Sequence, residues 1–124
     1  MKKIKITIGQ FTCIATLKST PTAHKIYNTL PFKSNISVWG DEIYCKVPVE
    51  CVLEVDSKAE VEIGELGYWP VMPAFCIFYG PTPISHGEKP LAAGPVNVFG
   101  QLENIETESL RNLNDGDEIH VEAI

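Results

Sequence analysis

Arginine is almost missing from this chain of 124 residues, with Arg111 the only one, and the basic residues total 10 against 16 acidic ones for a net charge of -6. Phosphate backbones are held by clustered Lys and Arg, and here only Lys2, Lys3 and Lys5 cluster, so nucleic acid is not an expected partner. Long hydrophobic runs are lacking as well. Nothing approaches the ~18 apolar residues of a membrane span, and the charged start is not followed by the apolar core of a secretory leader, so no membrane partner and a cytoplasmic location are expected. The four cysteines, Cys13, Cys45, Cys51 and Cys76, form no Cys-x-x-Cys pair. Each lies in an apolar, strand-like context, which predicts free thiols in the interior rather than zinc or redox chemistry. Gly-rich phosphate loops, Gly-x-Ser-x-Gly elbows and His-x-x-x-His metal pairs are absent, and no metal or cofactor is expected.

What the chain has is one dense apolar and aromatic stretch, Gly67 to Pro83, punctuated by Pro70, Pro73, Pro81 and Pro83. Ala74 to Tyr79 is a continuous apolar run of strand length, which suits a strand covered on both faces. The prolines cannot donate ladder hydrogen bonds, so the flanks read as loops, with Tyr68, Trp69 and Met72 in the first of them. Loops leaving a rigid strand commonly carry function.

The rest reads mainly as strands. Ile4, Ile6 and Ile8 alternate with Lys3, Lys5 and Thr7, Gly9-Gln10 is a tight turn, and Phe11 to Leu17 alternates again as an antiparallel partner. Thr20 then caps a helix opened by Pro21, with Ala23, Ile26, Tyr27 and Leu30 as its apolar stripe and Pro31 as its stop. Ile36 to Val38 and Ile43 to Val47 form a hairpin around Trp39-Gly40-Asp41. Val49 to Val55 is a further candidate strand, and in Ala59 to Ile63 the side chains of Glu60 and Glu62 face water. Thr82 to Pro95, broken by Pro and Gly, reads as a long loop. Val96 to Gln101 is another strand, Thr107 to Leu113 a short helix, and Asp115-Gly116 turns into a last strand that buries Ile119 and Val121. His24 and His120 fall on wet faces, and Ser85-His86 are neighbours without a third group to orient them. Roughly eight strands and two short helices in one domain, residues 1–124, predict an antiparallel barrel that hides its edges.

Particular segments carry a resemblance. Ile14 to Leu30 resembles the second strand and first helix of cyclophilins, and Val98-Phe99-Gly100-Gln101 is similar to their Val-Phe-Gly strand. Trp39 to Tyr44, Gly67-Tyr68-Trp69-Pro70, Phe75 to Pro83 and Pro95 to Val98 resemble the small, atypical cyclophilin-like proteins of bacteria and archaea. The resemblance covers nearly the whole chain and implies a closed eight-stranded antiparallel barrel with two short helices. Cyclophilins are peptidyl-prolyl isomerases, which lower an amide rotation barrier of about 18–20 kcal/mol. That chemistry needs an apolar pocket for the proline ring and a donor to the amide nitrogen as it loses resonance. The family's donor is an arginine after the first helix, where this chain has Leu30 to Asn35 and no arginine. Its pocket histidine before Val-Phe-Gly is replaced by Val96-Asn97.

The expectation is therefore a barrel that binds a peptide or small molecule in an apolar groove lined by Trp69, Met72, Phe75, Phe78 and Tyr79, with Asn97 and Gln101 as polar anchors and with feeble or absent isomerase activity. Alternation leaves open which of Phe75 and Phe78 faces the groove. A rival reading is a genuine isomerase whose donor is Lys33, His86 or a backbone group. A third treats the aromatic loop as a contact in a homo-oligomer.

Overall fold

The computed structural model describes residues 2–124. The period-two segments at the start form β1 (Lys3–Ile8) and β2 (Phe11–Leu17), paired antiparallel with Ile6 opposite Cys13 and Ile8 opposite Phe11. Gly9 makes their turn at φ 59°, a left-handed conformation that costs glycine little. α1 (Pro21–Asn28) follows, with the Thr20 hydroxyl accepting the Ala23 amide proton at 3.2 Å. Its Thr22, Ala23 and Ile26 are buried, while His24 and Lys25 are exposed.

After α1 come β3 (Phe32–Asn35), β4 (Ser37–Trp39), β5 (Glu42–Lys46), β6 (Lys58–Glu60), β7 (Glu65–Trp69), β8 (Ala74–Phe78), β9 (Leu91–Leu102), α2 (Thr107–Arg111) and β10 (Glu118–Ala123). Ten strands make one sheet in the order β3-β10-β1-β2-β9-β7-β8-β5-β4, with β6 attached to β9 beside that path. Every pairing described is antiparallel. The expected closed eight-stranded barrel is not what forms, because the ladder ends at β3 on one side and β4 on the other. These two strands are consecutive in the chain with only Ile36 between them. Segments joined end to end by one residue cannot lie side by side and pair, so the sheet curls round without closing its hydrogen bonds.

The curled sheet has an inner and an outer apolar cluster. The inner one gathers Ile4, Ile6, Ile8, Ile26, Phe32, Leu66, Tyr68, Phe75, Ile77, Tyr79, Phe99, Ile119 and Val121. Phe75 sits between Phe32 and Phe99, with ring centroids 5.7 and 5.2 Å away. The outer one gathers Val61, Ala74, Cys76, Phe78, Ala92, Val96 and Val98, with Tyr44, Trp69 and Met72 packed against it. It exists because β9 extends back to Leu91 and pairs there with β6, which roofs part of the outer face. Hence every residue of β8 is buried, as its unbroken apolar run predicts.

Other expectations need correction. Val49 to Val55 is not a strand. Side chains satisfy its backbone instead: the Tyr68 hydroxyl donates to the Val49 carbonyl at 2.8 Å and accepts from the Cys51 amide at 3.0 Å, and Asn97 bonds Val52 and Glu54. Tyr68 and Trp69 belong to β7 rather than to a loop, and the long loop before β9 ends at Pro90. Gly94 and Pro95 lie inside β9 at the irregular stretch of its pairing with β6, where a missing amide proton is tolerated. Cys13, Cys45 and Cys76 are buried free thiols, and Cys51 is half-buried.

Candidate functional site

On the outer face, odd and even positions separate the groups. In β5, Ile43 and Cys45 point to the inner cluster, while Glu42 and Tyr44 share the other side with Cys76 and Phe78 of the neighbouring β8. The two-residue turn Gly40-Asp41 sets Trp39 directly opposite Glu42, and Phe78 is Glu42's partner on the other flank. Trp69 arrives from the end of β7, with Ala92, Ala93 and Val96 from β9. Together these residues line a cavity of about 160 Å³. Its walls are indole, phenol and phenyl side chains, methyl groups, the Cys76 thiol and one carboxyl.

That carboxyl is the unusual component. Glu42 is 6% exposed, and burial pushes its pKa up to about 7, an effect the Cys76 thiol offsets only in part by hydrogen bonding to it. The same proximity works the other way on Cys76, whose thiol is held well above its ordinary range by burial first and by Glu42 second. No Lys, Arg or His lines the cavity.

The hairpin that carries Trp39 and Glu42 is fastened at its tip. Gly40 has φ 60°, the Asp41 amide donates to the Pro81 carbonyl at 3.0 Å, and the Tyr79 amide donates to the Asp41 carbonyl at 2.9 Å. Arg111 grips the Asp41 carboxylate with two bonds of 2.8 and 3.2 Å. The sole arginine, read from the sequence as a solvated charge, is thus a half-exposed clamp on the turn. Gly67 matters for a different reason. A Cβ there would lie 2.8 Å from Val96 Cγ2 and 3.0 Å from Phe78 Cε2, so glycine lets the cavity lining pack down on β7.

The residues expected to form one groove are distributed over several places. Trp69 and Phe78 line the cavity. Phe75 and Tyr79 point to the inner cluster, at 0% and 2% exposure, which places Phe78 on the outer face and Phe75 inside. Met72 packs at the margin of the outer cluster and lines a larger, open trough of about 640 Å³ with Phe32, Lys33 and Lys46. Asn97 is fully buried and fully used, its amide accepting from the Glu54 amide proton at 2.8 Å and donating to the Thr22 hydroxyl and the Val52 carbonyl, each at 2.9 Å. Gln101 is exposed on β9, away from the cavity. Sequence reasoning did not find Trp39, Glu42, Tyr44, Cys76, Ala92, Ala93 or Val96 as lining residues. The available signal was alternation, because any register that buries Ile43 and Cys45 inside puts Glu42 and Tyr44 together on the opposite face.

The profile of the cyclophilin-like family matches residues 2–122. The chain belongs to the cyclophilin-like family. This cyclophilin-like chain is similar to the hypothetical protein AF2241 from Archaeoglobus fulgidus, whose solution structure superposes with a TM-score of 0.82 at 35% identity, covering 99% of this chain and 95% of that one. It shares its fold with McbB, solved in complex with tryptophan, at a TM-score of 0.68 and 14% identity, covering 96% of this chain and 44% of McbB. No curated protein matches it.

The donors considered for a cyclophilin-like isomerase are scattered. Lys33 is exposed on β3 at the open trough, and His86 is exposed in the loop before β9. The neighbouring Ser85 hydroxyl accepts from the amides of Thr82 at 2.9 Å and Leu91 at 3.0 Å, so it staples that loop shut. Among the described residues, no group of three His, Cys, Asp or Glu side chains is placed to hold a metal ion, and no helix is long and apolar enough to cross a membrane.

Proposed function

We propose that this cyclophilin-like protein binds a small molecule, or one side chain of a peptide, in the outer-face cavity and has little or no prolyl isomerase activity. The observation that carries the reading is the cavity bounded by Trp39, Tyr44, Trp69 and Phe78, whose volume of about 160 Å³ suits an occupant of benzene size. An apolar cavity of ~150 Å³ is enough to hold benzene itself. Concave, mostly apolar pockets with a few convergent polar groups are the usual form of ligand sites, and here the polar group is Glu42.

The weak-isomerase half draws on the electrostatics. A twisting prolyl amide is served by a cationic N–H donor such as the arginine of cyclophilins, whereas the side chains lining this cavity include a carboxyl and no cation, and the only arginine is committed to Asp41. Both tryptophans of the chain are in the wall, so their fluorescence reports occupancy. Titration with a neutral probe of neopentyl shape is expected to change the emission saturably, and the Trp69→Ala variant is expected to lose the response. A flat titration in a folded protein refutes the binding reading. A protease-coupled proline isomerisation assay is expected to stay near background, and a rate comparable to that of ordinary cyclophilins refutes the other half.

A second reading keeps one observation of its own. Val52, Leu53, Val55 and Val71 are large apolar residues at 84%, 44%, 105% and 72% exposure, and Val52 and Val71 border the same depression. A homo-oligomeric contact would cover them.

A further inference from the structure

We propose that the occupant of the outer-face cavity is a methylated ammonium group, with Glu42 as its counter-ion and the rings of Trp39, Tyr44, Trp69 and Phe78 as its walls. The inference rests on the reading of this cavity as a ligand site and adds the charge and substitution of what enters it. Charge is the first argument. Glu42 is 6% exposed on the wall of a cavity that no Lys, Arg or His lines, so an ionised Glu42 has no cationic partner among the described residues. A buried carboxylate without one is costly, and a ligand that brings the positive charge removes the cost. An anionic ligand would meet the same carboxylate with nothing to offset it.

Ring chemistry is the second argument. Faces of Trp and Tyr attract cations through their quadrupoles, most strongly where water is excluded, and an aromatic enclosure with a carboxyl group suits a soft organic cation. Hydrogen bonding then decides the substitution. A primary ammonium carries three donors, while the lining side chains offer the Glu42 carboxyl, the Tyr44 hydroxyl and the weak Cys76 sulfur as acceptors, the indole N–H groups being donors only. A fully methylated nitrogen has no donor to leave unpaired, and its methyl groups match the apolar walls.

The binding then acquires a pH dependence. The titratable groups facing Glu42 are Tyr44 on its own strand and Cys76 on β8, while the lining residues from β4, β7 and β9 carry none. Burial holds the Cys76 thiol above its ordinary range, so that thiol stays neutral where Glu42 titrates. With the Glu42 pKa at about 7, a permanent cation binds the ionised form, and below neutrality its binding releases a proton.

The test compares choline with its neutral isostere 3,3-dimethylbutan-1-ol by tryptophan fluorescence at constant ionic strength. At about pH 8.5 choline is expected to bind at least about tenfold more tightly than the isostere. Its affinity should fall by up to about tenfold per pH unit between about pH 7 and pH 5.5, while that of the isostere should not. In Glu42→Gln the pH dependence should vanish and the preference should shrink to what the rings alone supply. The parent protein alone decides the matter if the variant does not fold, since both signatures are read without substitution. Equal binding of the two probes, or tighter binding of the isostere, overturns the ammonium assignment and leaves the cavity as a site for neutral ligands, and an undiminished preference in Glu42→Gln overturns Glu42 as the counter-ion. Failure of both probes overturns the cavity reading along with it.

Discussion

Glu42 has a consequence at the residue scale that is independent of any ligand. Its folded-state pKa of about 7 lies above the ordinary 4.5, so between those values the native protein holds a proton that the unfolded chain has released. Stability from this group is therefore complete below about pH 4.5 and is lost as pH rises toward 7, by about 3 kcal/mol in all. Glu42→Gln cannot ionise, so its stability relative to the parent should rise by about that amount between pH 4 and pH 8, measured as the difference in urea unfolding free energies. A flat difference across that range would show that Glu42 is not desolvated. Asn97 makes a contrasting case. Its amide was expected at the groove and instead ties the 51–54 segment to α1, so Asn97→Ala strands buried partners and should cost about 1–3 kcal/mol in the same measurement. Neither role was legible from residue type. Glu42 follows a turn and reads as a solvated acid, and Asn97 stands in a strand whose two faces are both covered.

Among the elements, those with one wet face were read correctly, as was β8 from its unbroken apolar run, while β7, covered on both sides, and the first half of β9 were not. β1, β2, α1 and β10 announce themselves because their buried positions repeat with a strict period. β7 does not, since Glu65 to Tyr68 are all buried and Gly67 and Pro70 mimic loop punctuation. The first half of β9 was obscured by Gly94 and Pro95, which sit in its irregular pairing with β6, a strand expected over Ala59 to Ile63 and found at Lys58–Glu60. The lining of the cavity shared that fate, because it depends on these covered strands meeting. Gly67→Ala tests the packing between them. A methyl group 2.8 Å from Val96 Cγ2 has no room, and overpacking of this kind costs about 1–3 kcal/mol, with a weakened fluorescence response to neutral probe as the second readout. Arg111→Ala should cost much less, and less still in high salt, because the clamp on Asp41 is half-exposed and screened by solvent.

At the scale of the whole molecule, the apolar residues left outside both clusters decide between monomer and assembly. If Val52, Val55 and Val71 meet a second copy, light scattering should show a dimer that Val52→Asp with Val71→Asp converts to monomer; a monomer at high concentration ends that reading. The count of strands and their antiparallel sense were legible in outline, whereas closure was not, since alternation shows which face is buried and says nothing of which edges meet. The two rims of the sheet, β3 and β4, are in fact continuous through Ile36, itself 2% exposed. There the Ile36 amide donates to the Asp117 carbonyl at 3.0 Å and the Ile36 carbonyl accepts from the Gly116 amide at 2.8 Å, which ties the crossing to the turn before β10. A protease should therefore find no site at Ile36 in the folded protein, and cleavage there should follow global unfolding rather than fraying of either rim.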